Sequence, residues 1–151
     1  MLYELIREEH NQIVARTRVK VAQRRAPRAT EQEIEHGVPL FLEQLAAFIN
    51  RAQLGASSDI SATATLHGGE LLRAGFTVAQ VVHGYGDVCQ VVTEFAGEID
   101  MSISADEFRL LNLALDDAIA SAVTEFARQR ERSISLQGTE DMGVLAHEMR
   151  N

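Results

Sequence analysis

The stretch that decides the fold runs from Thr77 to Phe95, T-V-A-Q-V-V-H-G-Y-G-D-V-C-Q-V-V-T-E-F. Val78, Val81, Val82, Tyr85, Val88, Cys89, Val92 and Phe95 recur at intervals of three and four, the spacing that places side chains on one face of an α-helix. Thr77 and Gln80 have the spacing of a capping box, in which hydroxyl and side-chain amide each satisfy a backbone N–H that the first turn leaves unpaired. A long helix to about Ile99 follows, apolar enough to be central.

The same grammar extends outward in both directions. Upstream, Gly75 is placed to cap a helix from about Asp59 to Ala74, after the loop L-G-A-S-S-D. Pro39 sits where it suits a first helical turn, so a short turn to about His36 and a helix from Val38 to Gln53 are expected, with Leu40, Phe41, Leu45, Phe48 and Ile49 facing the core. Thr30 and Glu33 form another capping-box pattern. Leu2, Leu5, Ile6, Ile13, Val14 and Val21 predict one amphipathic helix over about 2–24, and R-R-A-P-R-A then reads as a short exposed connection. Downstream, Ser104 and Glu107 open a helix from about Ala105 to Arg132, striped by Phe108, Leu111, Leu115, Ile119, Val123 and Phe126. The basic run Arg128 to Arg132 reads as its solvated exit, complementing a C-terminal dipole. The segment after Arg132 is a bend or a frayed continuation.

The expected fold is therefore all-α, a single bundle of about five helices. Composition agrees: 46% of residues are apolar and 24% charged, with no Trp and two Pro. A net charge of −8 opposes binding to nucleic acid, whose phosphates attract basic surfaces. No apolar run approaches the roughly 20 residues that cross a bilayer, so no membrane partner is expected. Cys89 cannot form an internal disulfide, no signal-peptide pattern opens the chain, and a cytoplasmic location follows. No phosphate-cradling glycine motif is present, so no turnover is expected from this chain alone.

The sharpest chemical signal is M-G-V-L-A-H-E-M-R-N, Met142 to Asn151. A histidine that accepts phosphate must be a neutral imidazole with a carboxylate beside it to orient the ring and take its proton. His147 and Glu148 meet that need. The segment resembles the phosphoacceptor box of bacterial sensor histidine kinases, with Met142 and Met149 in leucine positions. The resemblance implies that His147 is the phosphorylated residue, Glu148 the general base, and Asn151 a helper in phosphatase chemistry. It further implies a homodimer, a cognate response regulator as partner, and a separate ATP-binding kinase domain that brings ATP and Mg to the full-length protein. Residues 1–132 then form the sensory and dimerisation domain, and 133–151 the linker and start of the phosphoacceptor helix. Val123, Phe126 and Ile134 are the candidate seam residues of such a dimer.

A second resemblance covers H-G-G-E-L-L-R-A-G-F, from His67, and the following Q-V-V-H-G-Y-G-D-V-C-Q. It is similar to the helical N-terminal domains of some bacterial histidine kinases and of stressosome co-antagonist proteins, whose fold is globin-like and often lacks haem. It implies a rival function, a non-catalytic scaffold that docks partner proteins. His83, with Asp87 one turn on to orient it, leads the candidate ligand contacts, followed by Tyr85 and His67. A lone histidine on such a helix is more often structural, so haem is not expected. The spacing of His67, His83 and Cys89 matches no zinc pattern, and no metal is expected. Gly84 and Gly86 each cost roughly 1 kcal/mol inside a helix, which calls for close packing or for a pocket beside Tyr85.

Overall fold

The computed structural model describes residues 1–55 and 67–150, with side chains at 67, 70 and beyond Gly138 outside the described set. Among the described residues the chain is all-helical, with six α-helices: α1 Leu2–Glu8, α2 His10–Ala22, α3 Val38–Gln53, α4 His67–Arg73, α5 Val78–Glu98 and α6 Ala105–Arg150. A single π-helical turn, Glu33–Gly37, leads directly into α3.

Two of the three expected capping boxes are complete. Thr77 and Gln80 exchange both bonds at 3.1 and 3.0 Å, and Ser104 and Glu107 do the same at 3.1 Å each. Thr30 accepts from the Glu33 N–H at 3.2 Å, but the Glu33 carboxylate turns inward instead of back. Gly75 ends α4 as expected, at φ +100. The N–H groups of Gly75 and Phe76 reach the carbonyls of Leu72 and Leu71, the paired bonds of a Schellman cap.

Three expectations are corrected. The first helix is not continuous: it kinks at Glu9, φ −104 and ψ 23, while Glu9 N–H still bonds Leu5 and Ile13 N–H still bonds Glu9. With no Pro or Gly to mark it, the kink comes from packing, since it lets Leu2 and Ile6 on one side and Ile13, Val14 and Val21 on the other all reach the core. The R-R-A-P-R-A segment is not wholly exposed, because the Arg24 side chain is only 8% exposed. The last helix does not stop near Arg132 but continues to Arg150. The charges of Arg128 to Arg132 therefore lie mid-helix, where there is no terminal dipole to complement. The expected helix from Asp59 is described from His67 onward, and its earlier part lies outside the described residues.

The core lies where α3 crosses α5. Phe41 is fully buried between Phe76 and Tyr85, with ring centroids 6.0 and 5.5 Å away. A Cβ on Gly84 would stand 2.1 Å from the Phe41 ring, so glycine is required there for the two helices to meet. Tyr85 donates its hydroxyl to Gln44 Oε1 at 2.7 Å, which satisfies both polar groups inside an apolar interior. Leu45, Phe48 and Ile49 are buried as expected, and Leu40 is half-buried against the same cluster.

Candidate functional site

Helix α6 is the element on which the candidate chemistry sits. It opens on the Ser104–Glu107 box, and Glu107 Oε2 also accepts from the Leu2 N–H at 2.7 Å, tying the start of α1 to the start of α6. Burial alone would raise the Glu107 carboxyl, but the backbone bonds from Ser104 and Leu2 and the nearby chain terminus hold it below its ordinary value.

The core-facing side of α6 is built from small residues. Ala114, Ala118, Ser121 and Ala122 are buried, with Leu111 above and Glu125 below them. The large residues of the expected stripe split away: Leu111 is buried, whereas Phe108, Val123 and Phe126 are 42%, 50% and 48% exposed. Helix α4 packs on the small side. A Cβ on Gly69 would lie 3.6 Å from both Ser121 and Glu125, and the Gly69 N–H donates to Ser121 Oγ at 3.2 Å. Buried Glu125 is held by Arg73 at 3.4 Å and by Arg128 at 3.3 Å. Of the two glycines beside His67, Gly69 thus serves helix contact.

Beyond Glu125 every described residue from Phe126 to Gly138 is exposed, including Ile134 and Leu136. The helix carries on without a break through His147 and Glu148. Their side chains, and the whole of Asn151, lie outside the described residues. At about 1.5 Å per residue, the 25 residues from Phe126 to Arg150 span roughly 37 Å.

The three candidate ligand contacts are not brought together. His83 is exposed, and Asp87 does not orient it, because Asp87 pairs with Arg24 at 3.1 Å. Tyr85 is only 2% exposed and belongs to the core. His67 opens α4, and its side chain lies outside the described residues. Among the described residues no three His, Cys, Asp or Glu side chains gather as a metal site, and no helix is long and apolar enough to cross a membrane.

A buried charge cluster, Arg24 with Glu33 and Asp87, escaped the sequence reading. Arg24 bonds Glu33 Oε1 at 2.5 Å, Asp87 Oδ2 at 3.1 Å and the Pro27 carbonyl at 2.8 Å. Arg18 binds the carbonyls of Ile34 and Glu35 at 3.0 Å each, so two arginines of α2 and the turn after it clamp the π turn. Glu33 is fully buried. The one available signal was the pairing of opposite charges across Pro27 at Arg24 and Glu33, which the capping pattern masked.

Among the described residues, two grooves lie against α6. One, of about 380 Å³, lies between α5 and α6 beside Gly86 and Cys89. Burial pushes the Cys89 thiol up to about 11, so it stays protonated at neutral pH. The other, of about 600 Å³, runs between Val123 and Phe126 of α6 and the α4–α5 turn at Leu72 and Phe76. Comparison of the chain with family models, with curated proteins and with solved structures gave no match.

Proposed function

We propose that this chain is the sensory and dimerisation region of a cytoplasmic two-component sensor histidine kinase, and that α6 is its signalling helix. The observation that carries the reading is the continuity of α6. One helix is packed in the bundle over Leu111 to Glu125, emerges with its surface exposed, and bears His147 and Glu148 near its end. A displacement of its packed half is transmitted to the histidine because no loop intervenes to absorb it.

The packing of α6 suits such a displacement. Alanines present shallow ridges, so an axial slip or rotation separates fewer interlocked groups than in a seam of leucines. Gly69 against Ser121 and the two-arginine clasp on Glu125 are the contacts such a movement must exchange. The exposed Val123, Phe126 and Ile134 supply an apolar surface for the same helix of a second copy. In this reading Glu148 orients the His147 imidazole and accepts its proton, while a separate domain supplies ATP with Mg and a response regulator receives the phosphate.

The test is ATP-dependent labelling of the natural full-length protein, wild type against His147→Ala. The expected result is acid-labile, base-stable phosphate that is lost in the variant. Label of that chemistry persisting in His147→Ala would overturn the assignment.

A further inference from the structure

We propose that the groove between α5 and α6 is a binding site for an uncharged, mostly apolar small molecule that carries one hydrogen-bonding group. The first observation is the contrast between two glycines of one helix. Gly84 is demanded by the Phe41 ring, whereas a Cβ on Gly86 would have no atom within 4 Å. Gly86 therefore costs about 1 kcal/mol of helix stability with no packing contact in return. What its missing side chain leaves is space, and that space is part of the groove.

The lining defines the chemistry. Gly86 and Cys89 of α5 face Phe108, Leu111 and Leu115 of α6, and the volume of about 380 Å³ falls in the range of about 300–1,000 Å³ usual for small-molecule sites. The Cys89 thiol is protonated and so contributes no charge. The Thr93 hydroxyl spends its proton on the Cys89 carbonyl at 2.8 Å, which leaves it an acceptor. The Asn112 amide, on the opposite wall, and the Gln90 amide of α5 each offer both a donor and an acceptor. The one charged side chain in the lining, Glu94, is paired with Lys20 at 3.3 Å. With no cation in the wall and a carboxylate at its edge, an anion is disfavoured. An apolar body with a single hydroxyl or amide-like group fits both the walls and these three neutral polar side chains.

Occupancy would brace Phe108, Leu111 and Leu115 of α6 against α5. That it bears on His147 rests on the kinase reading; binding itself does not.

The experiment is calorimetric titration of the 151-residue chain with 2-naphthol, with 2-naphthoate as the anionic counterpart. Saturable one-to-one binding of 2-naphthol is expected, at least tenfold tighter than 2-naphthoate. Gly86→Leu, whose side chain enters the groove, should weaken binding at least tenfold while helical circular dichroism and the cooperative melt are retained. If that variant fails to fold, Asn112→Leu gives the second reading: it should weaken 2-naphthol severalfold. Absence of saturable binding, preference for the anion, or 2-naphthol affinity unchanged in a folded Gly86→Leu or in Asn112→Leu would overturn the proposal.

Discussion

The α3–α5 crossing and the packed half of α6 bury comparable lengths of helix in opposite ways. At the crossing, Phe41, Tyr85, Leu45 and Phe48 are inside and Gly84 is hollowed out to receive a ring. On α6 Ala114, Ala118 and Ala122 are inside and Phe108, Val123 and Phe126 are outside. Large interlocked side chains define one packing at high energetic cost to alternatives, whereas small ones allow neighbouring packings of similar energy. The first region is held by interlocked rings, the second by the close approach of small side chains.

The contrast breaks most visibly at Phe41. Phe41→Ala removes the ring from between Phe76 and Tyr85 and should cost about 4 kcal/mol in chemical denaturation. Gly84→Ala attacks the same contact from the other side and should cost about 3 kcal/mol, since its Cβ meets the ring. Combined with Phe41→Leu, which shortens the opposing side chain, the cost of Gly84→Ala should shrink, and a double-mutant cycle reads that coupling. Ala118→Gly on α6 should cost only about 1 kcal/mol, chiefly through helix propensity.

Buried charges hold the π turn as the rings hold the crossing. Arg24→Ala leaves the fully buried Glu33 carboxylate without its cation and should cost about 3 kcal/mol. Glu107 adds a pH signature. Its carboxyl is held below the ordinary value in the fold, so it contributes stability that is fully present above the unfolded value and is lost as pH falls through the folded one. Glu107→Gln should therefore flatten the acid limb of stability against pH, measured by urea melts at stepped pH. Smallest of all, Val123→Ser with Phe126→Ser should change the unfolding free energy of dilute protein by less than about 0.5 kcal/mol each. Under the proposed dimer, sedimentation velocity should nonetheless show weaker self-association.

What the sequence disclosed follows the same division. Capping residues and three- and four-residue spacing marked α3, α5 and the start of α6, because local hydrogen bonding and a one-sided apolar face determine them. They did not mark the kink at Glu9, which arises from contact with distant elements, nor the inward turn of Glu33, which depends on Arg24 and Asp87 from two other segments. The stripe on α6 was visible as periodicity, yet periodicity could not tell that alanines would take the inner face. For the two glycines around Tyr85 the sequence leaves close packing and a pocket open, and the two differ: Gly84 admits a ring and Gly86 borders a groove. His83 and Tyr85, chosen for chemistry, went to the surface and the core respectively, because residue type alone does not say which face of a helix meets a cavity.

Under the proposed mechanism, a continuous α6 couples the bundle to His147 only in a fixed helical phase. One to four residues inserted after Ser133 in the natural full-length protein rotate His147 by about 100° per residue relative to the bundle, while seven nearly restore its phase. Autophosphorylation measured across the series is predicted to rise and fall with phase and to return at seven. Activity that stays level through every insertion would contradict the account.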